Sequence, residues 1–313
     1  MKHIKKLSSK LLLALGVIIL SAIVWQVIVT KQIISDTKKI KQVQSIGQMH
    51  ELFKSGELKT FSVVSHQPFS KIKLSGISAE ILKGDEYAVY VSDYFKRHIG
   101  VTVKGDELFI DSLKKFRGGP SVFIFTPEDP QLISCAYSGY VPHGIFGFKG
   151  DNTLLSYEGD LDIKTDMPYI NVNQKGGYVS LYTFGLDSLF RIDNIQINAN
   201  IENGVFSLRD YFSKLANIDI QLQESAIGFL TINNESTLGT LKLTGSYWKK
   251  DDYHNHFCDN KKDPLGINYS GQADSLIIRL TGNPEKQEEL FLRNLSGKFE
   301  DINVSDNIRI VRE

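Results

Sequence analysis

The longest apolar segment of the chain is Leu11–Val29, an unbroken run of nineteen residues. At the rise of an α-helix, nineteen residues span ~28 Å, close to the hydrocarbon thickness of a bilayer. Trp25, near one end of the run, is a residue type that favours the membrane interface. The run therefore predicts one transmembrane helix. The alternatives are a cleaved signal peptide, whose apolar core is shorter, and a buried core helix, which lacks basic flanks.

Helical spacing of the apolar positions continues between Thr30 and Gly56. Residues at spacings of three, four and seven form a stripe beside several lysines: Ile33, Ile40, Val43, Ile46, Met49 and Phe53. Such a stripe predicts an amphipathic helix, which we expect to extend the membrane span as a stalk over residues 30–56. Two other interpretations are a helix lying on the membrane surface and a short coiled-coil dimer.

From Phe61 onward, apolar and polar residues alternate with a period of two. Short alternating runs are separated by turn pairs such as Gly84-Asp85 and Gly105-Asp106. This punctuation is typical of strands that are joined by tight turns. The composition agrees, because the β-branched and aromatic residues that favour strands are plentiful.

In the second half of the chain, apolar pairs recur about every ten residues, with many asparagines between them. Asparagine tolerates the backbone of tight corners and stacks in ladders. The pattern predicts an all-β domain over residues 57–313, built as a β-solenoid of stacked coils. A solenoid needs a cap on its last coil, which we expect from about residue 283. The alternative is an antiparallel β-sandwich.

Charge and cysteine content exclude two classes of protein. The 36 basic and 36 acidic residues cancel at pH 7, so the chain lacks the basic surface expected of a nucleic-acid-binding protein. The cysteine count is too low for a disulfide-rich scaffold. Cys135 and Cys258 are either two buried free thiols or one disulfide pair.

The lysines around the apolar run bear on orientation. Four lysines precede the run and four follow it closely: Lys2, Lys5, Lys6, Lys10, Lys31, Lys38, Lys39 and Lys41. A basic N-terminus before an apolar run is typical of a signal-anchor. We therefore expect residues 1–10 to be a cytoplasmic tail, residues 11–29 a single-pass anchor in the inner (cell) membrane, and the large domain to lie outside the cytoplasm, in the periplasm.

Four consecutive segments resemble the opening of a known family. They are Phe69-Ser-Lys-Ile-Lys-Leu-Ser-Gly-Ile, Ala79-Glu-Ile-Leu-Lys-Gly-Asp, Tyr87-Ala-Val-Tyr-Val-Ser and Ile99-Gly-Val-Thr-Val-Lys-Gly-Asp-Glu-Leu-Phe-Ile. Their order resembles the autotransporter-adhesin head domain, or GIN domain, of the domain-of-unknown-function 2807 type. The resemblance implies a β-solenoid that is membrane-anchored or secreted. It brings no catalytic residues, and the repeated Gly-Ser-Gly corners of that family are missing here.

A metal-like cluster lies in the segment 251–259. His254, His256 and Cys258 are spaced by two residues, so an extended backbone points all three to one face. Two imidazoles and a thiolate suit zinc or copper, although the spacing matches no zinc finger. The alternative is a polar loop with a chance pair of histidines.

An aromatic and glycine-rich segment, residues 137–150, is the candidate ligand site. Its rings are Tyr137, Tyr140, Phe146 and Phe148. Such rings can stack on the faces of sugars, and the alternative is that they pack back onto the domain.

No catalytic or cofactor motif is present in the sequence, which has no Gly-x-Ser-x-Gly, Walker loop or dinucleotide fingerprint. We therefore expect no cofactor and no catalysis, but an adhesin-like protein that binds an envelope glycan or protein. The first alternative is a β-helix enzyme acting on polysaccharide, with acids such as Asp160 and Asp162 along a groove. The second is a membrane-linked sensor or scaffold. A groove with acids and aromatics favours the enzyme, and an asparagine-rich lateral face favours the binder.

Overall fold

The computed structural model describes residues 2–43, 45–112, 121–183, 192–210, 213–232, 237–248 and 266–313. The chain divides into two compact units, Met1–Ser62 and Val63–Glu313.

The first unit is helical. Its first helix, α1, spans Lys2–Lys41, and its stretch from Ala14 onward is long and apolar enough to cross a membrane. Most of the apolar side chains described in α1 are exposed, as expected for a helix whose surface contacts lipid. The prediction of one N-terminal apolar helix is thus confirmed, and this helix fits either a membrane span or a signal sequence.

The predicted stalk over residues 30–56 is not shown, because this range is not one continuous helix. Helix α1 ends at Lys41, and a second helix, α2, spans Ile46–Lys54. The hydroxyl of Ser45 caps α2 by accepting a hydrogen bond from the Gln48 backbone N–H at 3.2 Å. The apolar stripe runs through the break because each helix has its own apolar face, so periodicity alone does not reveal the interruption.

A buried carboxylate ties the end of this unit to α1. Asp36 accepts hydrogen bonds from the backbone N–H and the hydroxyl of Thr60, at 2.8 and 2.7 Å. Gln32, one turn earlier, donates to the same carboxylate at 3.0 Å. The segment after α2 therefore folds back along α1 instead of extending it.

The second unit is mostly β, as predicted. Its strands begin with β1, which starts at the end of the first unit, and a single 3-10 turn (Lys96–His98) lies between β4 and β5. The strands are β1 (Phe61–Ser65), β2 (Lys71–Ser75), β3 (Ala79–Lys83), β4 (Ala88–Ser92), β5 (Ile99–Lys104), β6 (Glu107–Ser112), β7 (Val122–Thr126), β8 (Leu132–Phe146), β9 (Leu154–Thr165), β10 (Tyr169–Lys175), β11 (Tyr178–Thr183), β12 (Ile192–Glu202), β13 (Val205–Asp210), β14 (Ser213–Thr231), β15 (Thr237–Tyr247), β16 (Gly266–Gly282), β17 (Glu288–Val304) and β18 (Ile308–Arg312).

Six of these strands close a ring of parallel pairings, in the order β9, β10, β12, β14, β13, β11 and back to β9. Closure depends on two long strands. The first part of β9 pairs with β10 and its second part with β11. In the same way, β14 pairs first with β12 and then with β13.

The prediction of a β-solenoid is therefore wrong, since the strands form a six-stranded parallel closed barrel with extra strands. Strands β15, β16 and β17 continue from β14, and β8, β2 and β6 continue from β9. Recurring short apolar pairs predict strands but not their partners, because stacked coils and a closed ring have the same period of two.

The core consists of in-register rows of inward-facing apolar side chains. One row crosses nine strands with buried members: Leu108, Ile72, Ile133, Leu155, Val172, Ala199, Ile220, Leu243 and Ile278. Cys135 lies in the neighbouring row as a buried free thiol. Its proposed partner, Cys258, lies outside the described residues.

Candidate functional site

Six strands, β10, β12, β14, β15, β16 and β17, present their outward-facing side chains on one surface, which we call the polar face. Its rows run across the strands because the pairing is parallel and in register. The first row is Tyr169, Gln196, Asn217, Thr240, Ser275 and Phe299; the second is Asn171, Asn198, Asp219, Lys242, Ile277 and Asp301; the third is Asn173, Asn200, Gln221, Thr244, Arg279 and Asn303; and the fourth contains Lys175, Glu202, Gln223, Ser246 and Thr281.

The alternation of each strand explains why these side chains point outward. On β12, Ile197 and Ala199 are buried, whereas Asn198 and Asn200 are exposed. A strand whose apolar residues enter the core must place the intervening residues on the opposite face. The third row extends beyond the polar face to Ser156 of β9, which lies opposite Asn173.

Hydrogen bonds run along the second row, across the strands. The side-chain amide of Asn198 donates to the side-chain carbonyl of Asn171 at 3.0 Å. Two strands further on, the Lys242 ammonium donates to the Asp219 carboxylate at 2.6 Å. These hydrogen bonds fix the orientation of the side chains. In the middle of the face, the positive charge of Lys242 is balanced by the negative charge of Asp219.

The charged end of the polar face is neutralised in the same way. Arg279 donates through Nε to Asp301 at 3.0 Å, and its Nη2 also contacts this carboxylate. The charges of rows two and three are thus matched by neighbours. The remaining members of the third row are amides and hydroxyls, which both donate and accept hydrogen bonds.

Three shallow cavities of about 610, 370 and 330 Å³ lie along the polar face. All three are lined by Gln221, and the two smaller ones share Asn173 and Asn200. Because they share lining residues, the three cavities lie side by side across the strands, and we call them together the depression. Its members are spaced by the inter-strand distance of about 4.8 Å, so the six strands make a surface ~24 Å long.

A fourth cavity, of about 440 Å³, lies beyond β10 and shares Ser156 and Lys175 with the depression. Lys73 and Phe109 line it, and the Lys73 ammonium lies 5.1 Å from the centre of the Phe109 ring. This contact is a cation–π interaction. The depression therefore continues toward β2 and β6 with a more charged lining.

Carboxyl groups with a raised pKa lie away from the polar face. Burial raises the pKa of Glu80 on β3 to about 7, although Lys164 opposes the shift. Burial also raises the pKa of Asp166 to about 6, although its carboxylate accepts a hydrogen bond from the Gly147 N–H at 2.8 Å. Neither group faces the depression, so the acids best suited to hold a proton near neutral pH are not in it.

A buried histidine lies in the same region as Glu80. His143 on β8 pairs with Ala79 of β3 and Ile163 of β9, within a row of core residues. Both of its ring nitrogens lack a hydrogen-bond partner, and burial lowers the pKa of its imidazole to about 3. The ring is therefore neutral at physiological pH, and it behaves as a core side chain.

Two of the four aromatic residues of the predicted ligand site are buried, and the side chains of the other two are not described. Tyr137 and Tyr140 belong to β8, but their side chains are not described. Phe146 and Phe148 are each 3% exposed. The ring of Phe148 lies under the Lys83 ammonium at 5.5 Å. The stacking platform of these four residues stays a prediction, and it contributes nothing to the polar face.

The predicted metal ligands, His254, His256 and Cys258, lie outside the described residues, so this hypothesis stays untested. From the sequence, an asparagine-rich lateral face is the feature that favours a binder, but no residues are assigned to it. Its signal was present in the spacing of Asn171 with Asn173, and of Asn198 with Asn200, which is the period of one face of a strand. The sequence predicts asparagines at corners or stacked in ladders, and these four lie within strands, where Asn198 bonds to Asn171.

No protein-family model matches the sequence, and no curated protein matches it. The resemblance to the GIN domain is therefore not confirmed. Several solved structures are similar. A "putative adhesin" from Bacteroides fragilis is 14% identical, with 81% of this chain and 96% of that chain covered and a TM-score of 0.37.

A "putative adhesin" from Parabacteroides distasonis is 11% identical, covers 81% of this chain and 94% of its own, and has a TM-score of 0.41. A "putative lipid binding protein" from the same organism is 10% identical, with coverage of 81% and 96% and a TM-score of 0.30. All three TM-scores lie below 0.5, so these similarities carry no argument about function.

Proposed function

We propose that this protein is a non-catalytic binding protein that holds an extended, uncharged glycan chain on its polar face. The observation that carries the proposal is the third row of the face. It places amides and hydroxyls of successive strands, such as Asn173, Asn200 and Gln221, side by side in one depression. A polymer with hydroxyls on every unit matches such a repeating set of donors and acceptors.

Charge supports this class of ligand. Lys242 and Arg279 are each paired with a neighbouring carboxylate, and the whole chain has no net charge. An anionic polymer requires unpaired cations to hold it. A neutral glycan requires only hydrogen bonds and apolar contact.

The N-terminal helix adds a location to the proposal. We propose that α1 anchors the protein in the cell membrane and that the β unit lies outside the cytoplasm, facing envelope glycans. An alkaline-phosphatase fusion after Glu313, which is active only outside the cytoplasm, tests the orientation. Activity of this fusion is expected, and an inactive fusion beside an active cytoplasmic reporter contradicts the orientation.

Glycan binding is tested with the full chain in detergent micelles, on a glycan array and with insoluble neutral polysaccharides. Wild type is expected to bind at least one neutral polysaccharide. The combined variant Asn173→Ala, Asn200→Ala and Gln221→Ala is expected to lose at least about tenfold in affinity, because each lost hydrogen bond weakens binding by ~0.5–1.5 kcal/mol.

Matched controls are Asn152→Ala and Gln67→Ala, which remove exposed amides outside the polar face. Both are expected to bind like wild type. Failure of wild type to bind any neutral glycan overturns the proposal, as does equal binding by the triple variant. Absence of catalysis is tested on the bound polysaccharide, where no release of new reducing ends is expected.

A further inference from the structure

Two exposed aromatic rings terminate the first row of the polar face. Tyr169, on β10, is 41% exposed, and Phe299, on β17, is 59% exposed. Single exposed aromatic residues are common on protein surfaces and need no explanation. These two, however, belong to one row, which the strand register links from β10 to β17 across one bulge between β14 and β15.

The side chains between the two rings are polar. Gln196 pairs with Tyr169 on one side and with Asn217 on the other. Ser275 links Thr240 to Phe299. At β15 the row crosses a bulge, where the Thr240 backbone N–H donates to the Asn217 side-chain carbonyl at 3.0 Å. The row is thus amide and hydroxyl in its middle and aromatic at both ends.

The first row combines aromatic and polar side chains, so it restricts the ligand to a smaller class of molecules than the amides and hydroxyls of the depression do. The ring faces of pyranoses carry axial C–H groups that pack on aromatic rings, while their equatorial hydroxyls bind amides and hydroxyls.

We propose that the first row, which lies four residues or ~13 Å along each strand from the third row, is a second track for a glycan chain, that Tyr169 and Phe299 are its two terminal stacking sites, and that these rings set the minimum length of the chain bound there. This inference rests on the proposed function. The rings are separated by five inter-strand spacings of about 4.8 Å, or ~24 Å. A chain shorter than this reaches one ring only. The ligand is therefore a polysaccharide with exposed apolar sugar faces, laid across the strands.

The experiment uses the full chain in detergent micelles and two length series, cello-oligosaccharides and chito-oligosaccharides, from disaccharide to octasaccharide. Affinity is measured by isothermal titration calorimetry. For wild type, affinity is expected to rise steeply until the chain spans both rings and then to level off. Tyr169→Ala and Phe299→Ala are each expected to weaken octasaccharide binding about tenfold and to abolish the steep rise.

Two controls separate stacking from general damage. Tyr94→Ala removes an aromatic ring that is 43% exposed but lies outside the polar face, and it is expected to bind like wild type. Tyr169→Phe retains a ring and is expected to retain the dependence on length. Circular dichroism confirms that each variant is folded.

The outcomes distinguish this inference from the proposed function. If both alanine variants bind the octasaccharide like wild type, while the Asn173, Asn200 and Gln221 triple variant does not, the inference is wrong and the proposed function stands. If no oligosaccharide of either series binds to wild type, the inference is wrong, and the glycan array tests the proposed function independently. An affinity that rises evenly with length, with no step, also contradicts the inference.

Discussion

The polar face and the region around His143 place polar groups in opposite surroundings. On the polar face, amides and ion pairs lie at the surface and bond to one another across the strands, as Asn198 does with Asn171. Around β3, β8 and β9, ionisable groups are withdrawn from water, and burial shifts the pKa values of Glu80, His143 and Asp166 toward the neutral forms.

Polar side chains therefore have two different effects in this unit, one where they are solvated and another where they are buried. Substitution of a solvated polar side chain changes the free energy of unfolding little. Stability therefore does not restrict which residues occupy the polar face, and they can suit a ligand. A buried ionisable group makes stability depend on pH, because the folded and unfolded chains bind protons differently. We therefore expect changes on the polar face to affect binding, and changes in the buried region to affect folding.

The largest effect is expected from the core directly under the polar face. Ile197→Ala removes a fully buried side chain from β12 and is expected to lower the free energy of unfolding by ~2–5 kcal/mol, because a cavity replaces packed atoms. Urea unfolding followed by circular dichroism measures this. A loss smaller than about 1 kcal/mol contradicts the inward orientation of Ile197, since exposed positions rarely exceed that cost.

The next effect concerns His143, because burial lowers the pKa of its imidazole from the usual 6.5 to about 3 in the folded chain. The unfolded chain takes up the proton first, so stability is complete above pH 6.5 and is lost as the pH falls toward 3. At pH 5 the loss is ~2 kcal/mol, from 1.36 kcal/mol for each pH unit. His143→Leu is expected to remove this loss.

The measurement is urea unfolding of wild type and His143→Leu at pH 8 and pH 5. The variant is expected to gain more stability, relative to wild type, at pH 5 than at pH 8. An equal difference at both pH values means that the ring is not buried in its neutral form.

A third effect has the opposite sign and comes from Glu80, whose pKa is raised to about 7 from 4.5. The folded chain holds this proton longer than the unfolded chain, so the contribution of Glu80 is greatest below pH 4.5 and is lost as the pH rises through 7. Glu80→Gln keeps the shape without the charge. It is expected to be more stable than wild type at pH 8 and similar at pH 4.

Thermal unfolding at these two pH values tests the effect of Glu80, with Glu158→Gln as the control on an exposed carboxyl outside the buried region. The control is expected to change stability by less than about 0.5 kcal/mol at either pH. If Glu80→Gln is neutral at pH 8, the comparison between the two regions fails for this group.

The smallest effect is expected on the polar face itself. Asn198→Ala removes an exposed amide and its hydrogen bond to Asn171 and is expected to cost ~0.5 kcal/mol, as a solvated bond does. Its neighbour Ile197 provides the comparison on the same strand. If Asn198→Ala lowers the free energy of unfolding by more than about 2 kcal/mol, the side chains of the polar face contribute to folding as core side chains do. That result contradicts the comparison between the two regions.

Part of this structure follows from local sequence. The run Leu11–Val29 predicts an apolar helix because its length matches a bilayer, and α1 contains it. The alternation after Phe61 predicts strands, because a period of two places every second residue in the core. Both signals lie within a few neighbouring residues.

The candidate site depends on contacts that local signals do not contain. Tyr169 and Phe299 are separated by most of the second half of the chain, and only the register of five pairings places them in one row. The aromatic residues that seemed suited to a ligand, Phe146 and Phe148, are buried. Aromatic side chains serve cores and binding surfaces equally well, so composition does not distinguish the two.

By itself, the sequence determined which segments are helical, which are strands, and which side of each strand faces the core, because these properties follow from periodicity and the burial of apolar side chains. Only the tertiary structure decided that α1 stops at Lys41, that β9 and β14 each pair with two strands to close a ring, and that polar residues from six strands form one face. The physical reason is that strand pairing is a hydrogen-bond match between distant backbones, which any alternating segment can satisfy.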